Sequence, residues 1–118
     1  MADYYATPQV KYVRLQWQHL NGMRCSKMIP VSEYLKEDYE LHICPAAFFT
    51  PICYNEWIKG CGDIDKTISM RPDRATYRVL PWCPTQATVM CDFYDEDGQP
   101  WKFCPRGYVK KAVKELQE

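Results

Sequence analysis

The residues of this chain able to do chemistry are seven cysteines (Cys25, Cys44, Cys53, Cys61, Cys83, Cys91 and Cys104), two histidines (His19 and His42) and an acidic run, Asp92, Asp95, Glu96 and Asp97. Zinc chemistry needs thiolates or imidazoles close enough to converge on one ion, and its usual mark is a Cys-x-x-Cys pair. None occurs. The nearest pairing is Cys53 with Cys61, seven residues between them, with His42 upstream. A calcium loop spaces its carboxylates through a longer segment with a closing Glu, and the run from Asp92 to Asp97 reads instead as a solvated hairpin turn. A nucleophilic cysteine needs a base beside it. Neither histidine sits in a recognisable base or ligand motif, and His19 flanks a turn, which marks it as a surface residue. No Gly-x-x-x-x-Gly-Lys phosphate loop and no Gly-x-Ser-x-Gly elbow is present. The residues by themselves give no catalytic, metal or cofactor site, and the cysteines read as reduced, small, buried apolar side chains.

The totals narrow the function classes further. At 118 residues the chain is the size of one domain, residues 1–118, and 47% hydrophobic with 14% aromatic content supports a packed core rather than disorder. Fifteen basic and fifteen acidic side chains cancel. A nucleic-acid partner would call for concentrated positive charge. The nearest concentration, Lys110, Lys111 and Lys114, reads as a solvated helix face. No stretch approaches the length and apolarity of a membrane span, and the start MADYYATPQ has neither a basic nor an apolar leader region. The expected setting is cytoplasmic, with neither nucleic acid nor membrane as partner.

The elements that must position these residues follow from periodicity. Val10 to His19 alternates, with Val13, Leu15 and Trp17 on one side and Arg14, Gln16 and Gln18 on the other, which predicts a half-buried strand. Asn21-Gly22 predicts a type I′ turn, and Met23 to Ile29 a returning strand with Met23, Cys25 and Met28 or Ile29 inward. Ser32 is placed to cap a short helical turn through Lys36. Residues 41–52 are apolar but broken by Pro45 and Pro51, so they read as a short segment flanked by loops. Residues 53–66 read as loop, in which Trp57 is too large an apolar surface to stay in water: it either folds back onto the core, the favoured reading, or waits for a partner surface. Thr67 to Arg71 and Tyr77 to Trp82 read as two short strands separated by a Pro72-Asp73 turn. Gln86 to Tyr94 reads as a central strand, Asp95 to Gly98 as a tight turn, and Pro100 to Phe103 as an edge strand. Pro105 suits a helix first turn, followed by Val109, Ala112, Val113 and Leu116 on one face. The sum is an α+β domain: a mixed sheet of five or six strands with a C-terminal helix packed on one face.

Three segments, in order, resemble the glutamine synthetase superfamily. The opening hairpin carries Gly22, Arg24 and Pro30. MRPDRATYRVLPW carries Pro72, Asp73 and Thr76. ATVMCDFYDEDGQPWKFCPR carries Cys91, Asp92, Gly98, Pro105 and Arg106. The Cys-Pro-Arg form and the Asp-Gly-x-Pro turn are similar to FluG-type and γ-glutamyl-amine ligase-like members. The resemblance implies an N-terminal β-grasp domain whose last helix, residues 105–118, connects to a larger catalytic domain. ATP and Mg or Mn would bind only there, so no cofactor is expected in this chain. It also implies a catalytic domain or neighbouring subunit as partner, within a homo-oligomer whose active site the β-grasp domain closes. The Asp-Gly-Ser-Ser loop of glutamine synthetases proper is missing; the stretch PAAFFTPICYNEWIKGCGD stands in its place. That departure turns the expectation from ammonia toward an amine acceptor, with Trp57, Asn55 and Glu56 as candidate partner-facing or active-site-facing residues.

Two functions are therefore expected. The first is the non-catalytic β-grasp domain of an ATP-dependent carbon–nitrogen (γ-glutamyl) ligase, shaping the amine side of the active site. The alternative is a stand-alone binding or assembly module derived from that domain, without activity of its own.

Overall fold

A computed structural model of the chain describes residues 9–45, Phe48 and 66–118. Its elements are β1 (Tyr12–Gln18), β2 (Arg24–Pro30), a single helical turn α1 (Val31–Tyr34), β3 (Leu41–Ile43), β4 (Ile68–Leu80), β5 (Cys83–Tyr94) and helix α2 (Pro105–Gln117). The strands form one five-stranded sheet in the order β2-β1-β5-β4-β3. β1 runs parallel to β5 and every other pairing is antiparallel. This is the expected α+β architecture, a mixed sheet followed by a C-terminal helix.

The β1–β2 hairpin follows its alternation. Val13 and Leu15 are buried, and the register pairs Val13 with Ile29 and Trp17 with Cys25. Ile29 is the inward residue of β2, whereas Met23 and Met28 are exposed. The turn also differs from the expected I′ type, which needs positive φ at two central residues. Only Gly22 has it, at 89°. The loop is therefore three residues long, Leu20 to Gly22. His19 N–H donates to Met23 O (2.7 Å), and the Asn21 side chain accepts from Met23 N–H (3.0 Å).

Downstream of the hairpin, α1 begins two residues earlier than expected. Pro30 holds the N-cap position and no side chain caps the turn, so Ser32 lies inside it rather than at its start. The guanidinium of Arg74 closes the other end, donating to the carbonyls of Tyr34 (2.9 Å) and Lys36 (2.6 Å). Leu41–Ile43 is a strand rather than a loop-flanked segment, because it pairs with Ile68–Met70.

The two short strands expected around Pro72-Asp73 are one strand, β4, that passes through the proline. β3 covers only Ile68–Met70, so Pro72 pairs with Cys91 on one side and, among the described residues, has no strand to satisfy on the other. The break appears further on, as an irregularity between Asp73 and Arg78. There Thr76 Oγ1 donates to Asp73 O (2.7 Å) and accepts from Met90 N–H (2.8 Å), so a hydroxyl spans the gap in the ladder. Pro81 and Trp82 form the tight turn between β4 and β5, which places Trp82 outside the strand it was expected to end. Residues 100–103 are not an edge strand. They make one isolated bridge, Tyr94 with Pro100, and then turn into the helix.

The core lies on one face of the sheet. Val13, Leu15, Val89, Phe93 and Met70 are buried together with Tyr34 and Phe48. Phe48 packs edge-on against Phe93 (4.6 Å between centroids) and Trp101 (4.9 Å), the offset geometry aromatic rings prefer. We expect Leu15→Ala to cost about 2–5 kcal/mol, since it leaves a cavity where a fully buried side chain of β1 fills the core. Trp82→Ala, at the turn tip and 80% exposed, should stay within about 0.5 kcal/mol. Urea denaturation of the two variants checks both.

Candidate functional site

Helix α2 is built from its first turn. Cys104 is the N-cap, its Sγ accepting from Gly107 N–H at 3.4 Å, and Pro105 occupies the first helical position where a missing N–H costs nothing. Cys104 is itself buried beside Trp101. Beyond that cap the helix buries none of its residues. Val109, Val113 and Leu116, read from the sequence as the sheet-facing stripe, are exposed. At about 100° per residue, Arg106 and Lys110 share one direction, and Val109, Ala112 and Leu116 lie roughly a quarter turn round from it. The helix meets the sheet through its cations and holds its apolar stripe to the side.

The cations land on two carboxylates. Asp92 lies on β5 between the core residues Cys91 and Phe93, so strand alternation turns it to the opposite face. Asp73 lies on β4, two residues from the register partner of Asp92. Arg106 Nη2 donates to Asp73 Oδ2 (2.9 Å), and its Nη1 stands 3.3 Å from Asp92 Oδ1 as an ion pair. Lys110 Nζ donates to Asp92 Oδ2 (2.5 Å) and reaches Asp73 Oδ2 at 3.5 Å. Each cation thus touches both anions. Burial works to raise the Asp73 pKa, but the Arg106 hydrogen bond and the Lys110 and Arg106 charges outweigh it and hold the carboxyl below its ordinary range. For Lys110, burial acts downward and is overcome by the hydrogen bond and charge of Asp92, so the ammonium pKa is raised.

Asp73 and Thr76 from one of the resembling segments and Asp92 and Arg106 from another converge here. Apart from the resemblance, the sequence showed Asp92 as a member of an acidic turn, and it showed Lys110 only as a solvated lysine. The signal that could have joined them is the i, i+4 spacing of Arg106 and Lys110. The rest of the acidic run does form the turn: Asp95 Oδ1 accepts from Asp97 N–H (3.1 Å) and Gln99 N–H (2.9 Å), and Gly98 takes φ 75°. Beside the seat, a groove of about 520 Å³ runs between α2 and the end of β5, lined among others by Phe93, Trp101, Tyr108 and Lys111.

The remaining reactive residues are dispersed. His19 is buried rather than at the surface, stacked on Phe48 (6.4 Å). His42 stands 3.4 Å from Ser69 Oγ and 3.4 Å from Glu40, which Arg71 also holds. Among the described residues no three His, Cys, Asp or Glu side chains gather as a metal cluster would require. Of the five described cysteines only Cys91 and Cys104 are buried. Burial, followed by the Asp92 charge, pushes the Cys91 thiol up to about 12. Trp57, Asn55 and Glu56, and with them Cys53 and Cys61, lie outside the described residues.

Two predictions follow from these groups. The lowered Asp73 pKa means its contribution is present above about pH 4, the ordinary Asp range. It is lost as pH falls through the lowered value. The raised Lys110 pKa means its contribution is present below about pH 10.4 and lost as pH rises through the raised value. Urea midpoints measured across pH should show both limbs, and Asp73→Asn should flatten the acid one. Separately, iodoacetamide at neutral pH should label the half-buried Cys83 at least ~10-fold faster than the buried Cys91, which stays a thiol. Peptide mapping by mass spectrometry reads the ratio.

No family model matches the chain. The gamma-glutamylanilide synthase of Acinetobacter sp is 29% identical over 123 residues, an alignment spanning 92% of this chain and 25% of that protein. The glutamine synthetase of Methanococcus maripaludis is 30% identical over 122 residues, spanning 98% of this chain and 26% of that protein. A solved GmaS/ADP complex superposes with a TM-score of 0.78 at 17% identity, covering 98% of this chain and 25% of that one. At that identity the likeness speaks for the fold. The chain spans about a quarter of the length of the curated relatives it matches. Alignments that run along nearly the whole chain, with the same curled mixed sheet and terminal helix, place it in the glutamine synthetase family as an N-terminal domain.

Proposed function

We propose that the chain is the non-catalytic N-terminal domain of a glutamine-synthetase-like, ATP-dependent carbon–nitrogen (γ-glutamyl) ligase. In this reading it packs on a catalytic domain, in the same chain or a neighbouring subunit of a homo-oligomer, and shapes the amine side of the active site. The observation that carries it is the alignment over more than nine-tenths of this chain with a quarter of the ligases it resembles. ATP and the divalent metal belong to the catalytic domain, and α2 is the connector toward it. An amine acceptor is favoured by two features: no Asp-Gly-Ser-Ser loop occurs in the sequence, and one relative is a gamma-glutamylanilide synthase. Trp57, with Asn55 and Glu56, is the proposed contact on the acceptor side. No helix among the described residues is long and apolar enough to cross a membrane, and the proposed setting is the cytoplasm.

The experiment is ATP-dependent ligation of glutamate to ammonia, alkylamines and anilines. It is run on the chain alone and on the chain combined with the glutamine-synthetase-type catalytic domain of the same genome. The expected result is no product alone, product from the combination, and preference for amines over ammonia. Trp57→Ala should raise the amine KM about tenfold and leave the ATP KM unchanged. Product from the chain alone, or a combination no faster than the catalytic domain by itself, overturns the reading.

A further inference from the structure

We infer that Asp73, Asp92, Arg106 and Lys110 are positioning residues: a charge-built joint that fixes the direction of α2 and thereby aims its apolar stripe at the catalytic partner. The helix buries no side chain, so packing does not set its orientation. What it has is a buried cap at Cys104 and two cations, one helical turn apart, each spanning the same two carboxylates. One ion pair would leave the helix free to swivel about the contact. Two cations crossed over two anions define a line, and a line fixes the azimuth. The anions are themselves fixed. Asp92 sits on a strand bonded on both sides, and the backbone at Asp73 is braced by Thr76 against Met90. The side chains of Asp92, Asp73 and Arg106 are 12%, 24% and 29% exposed, so solvent screens them less than surface pairs.

The consequence is geometric. With Arg106 and Lys110 turned to the sheet, Val109, Ala112 and Leu116 point a quarter turn away, exposed and contiguous. The occupant of that stripe is the catalytic domain; this clause, unlike the joint itself, rests on the ligase reading above.

The test is amide hydrogen exchange on the full chain, comparing wild type with Arg106→Met, Lys110→Met and the control Lys111→Met, whose lysine among the described residues pairs with Glu115 on its own helix (3.9 Å). Both joint variants should speed exchange across residues 108–117 at least ~10-fold while the β1 and β5 amides keep their protection. The control should leave α2 unchanged. Unchanged α2 protection in both joint variants overturns the inference. So does loss of protection in sheet and helix together in Lys110→Met, since the cluster would then be a general stabiliser. A second measurement separates the two claims: light scattering of each variant with the catalytic domain. A joint that loosens as expected, with wild-type chain that never associates, sinks the ligase reading alone. Association unaffected by Leu116→Asp removes the stripe as the contact.

Discussion

Strand β5 carries two environments in alternate residues, and most of the molecule is arranged around that fact. It is hydrogen-bonded on both sides, parallel to β1 and antiparallel to β4. Its odd-numbered residues Val89, Cys91 and Phe93 enter the core, while Asp92 is turned to the other face. A slip of one residue would put a carboxylate among aromatic rings and a phenyl ring in the charged seat. The register is held from both sides, so the same strand that closes the core also presents the anion on which the helix rests.

That division explains how a helix with no buried side chain is kept. Thirteen residues is near the length at which an isolated helix is marginal in water. Here the first turn is held by the Cys104 cap and by Pro105, and the next turn by ion pairs whose members are partly withdrawn from solvent. Crossed pairs stabilise less than a packed apolar face of equal size, but they specify angle more narrowly, because both distances in each pair must be met. Cys91, next in sequence to this anion but facing the core, has its thiol pKa raised first by burial and then by the Asp92 charge.

Much of the fold was legible in the residues. The opening hairpin, the central strand, the Gly98 turn and the terminal helix follow from period-two alternation, positive-φ glycine and a first-turn proline. The errors share a cause: local breakers were read without knowing what lay beside them. Pro72 did not end a strand, since no neighbour needed its N–H, and Pro100 did not sit in one, because the chain was already turning toward Cys104. The seat was half legible. The motifs Pro72-Asp73, Cys91-Asp92 and Pro105-Arg106 singled out three of its four members, but only as resemblance. Nothing local could show that Asp73 and Asp92 lie two register steps apart across a strand pair, or that Lys110 would choose the sheet over solvent. His19 was misplaced for a similar reason: its burial depends on Phe48, twenty-nine positions along the chain.

The margins of the sheet have a consequence of their own. On one side β2 presents Arg24, Lys27 and Pro30; on the other β3 is only three residues long. Charge, a missing donor and brevity are the devices by which sheets resist growth at their borders. Other chains therefore find little backbone template here, and self-association through strand addition is discouraged at both ends. Docking is left to side chains projecting from faces, turns and the helix, where recognition depends on shape and charge rather than on main-chain bonding that any extended peptide could supply.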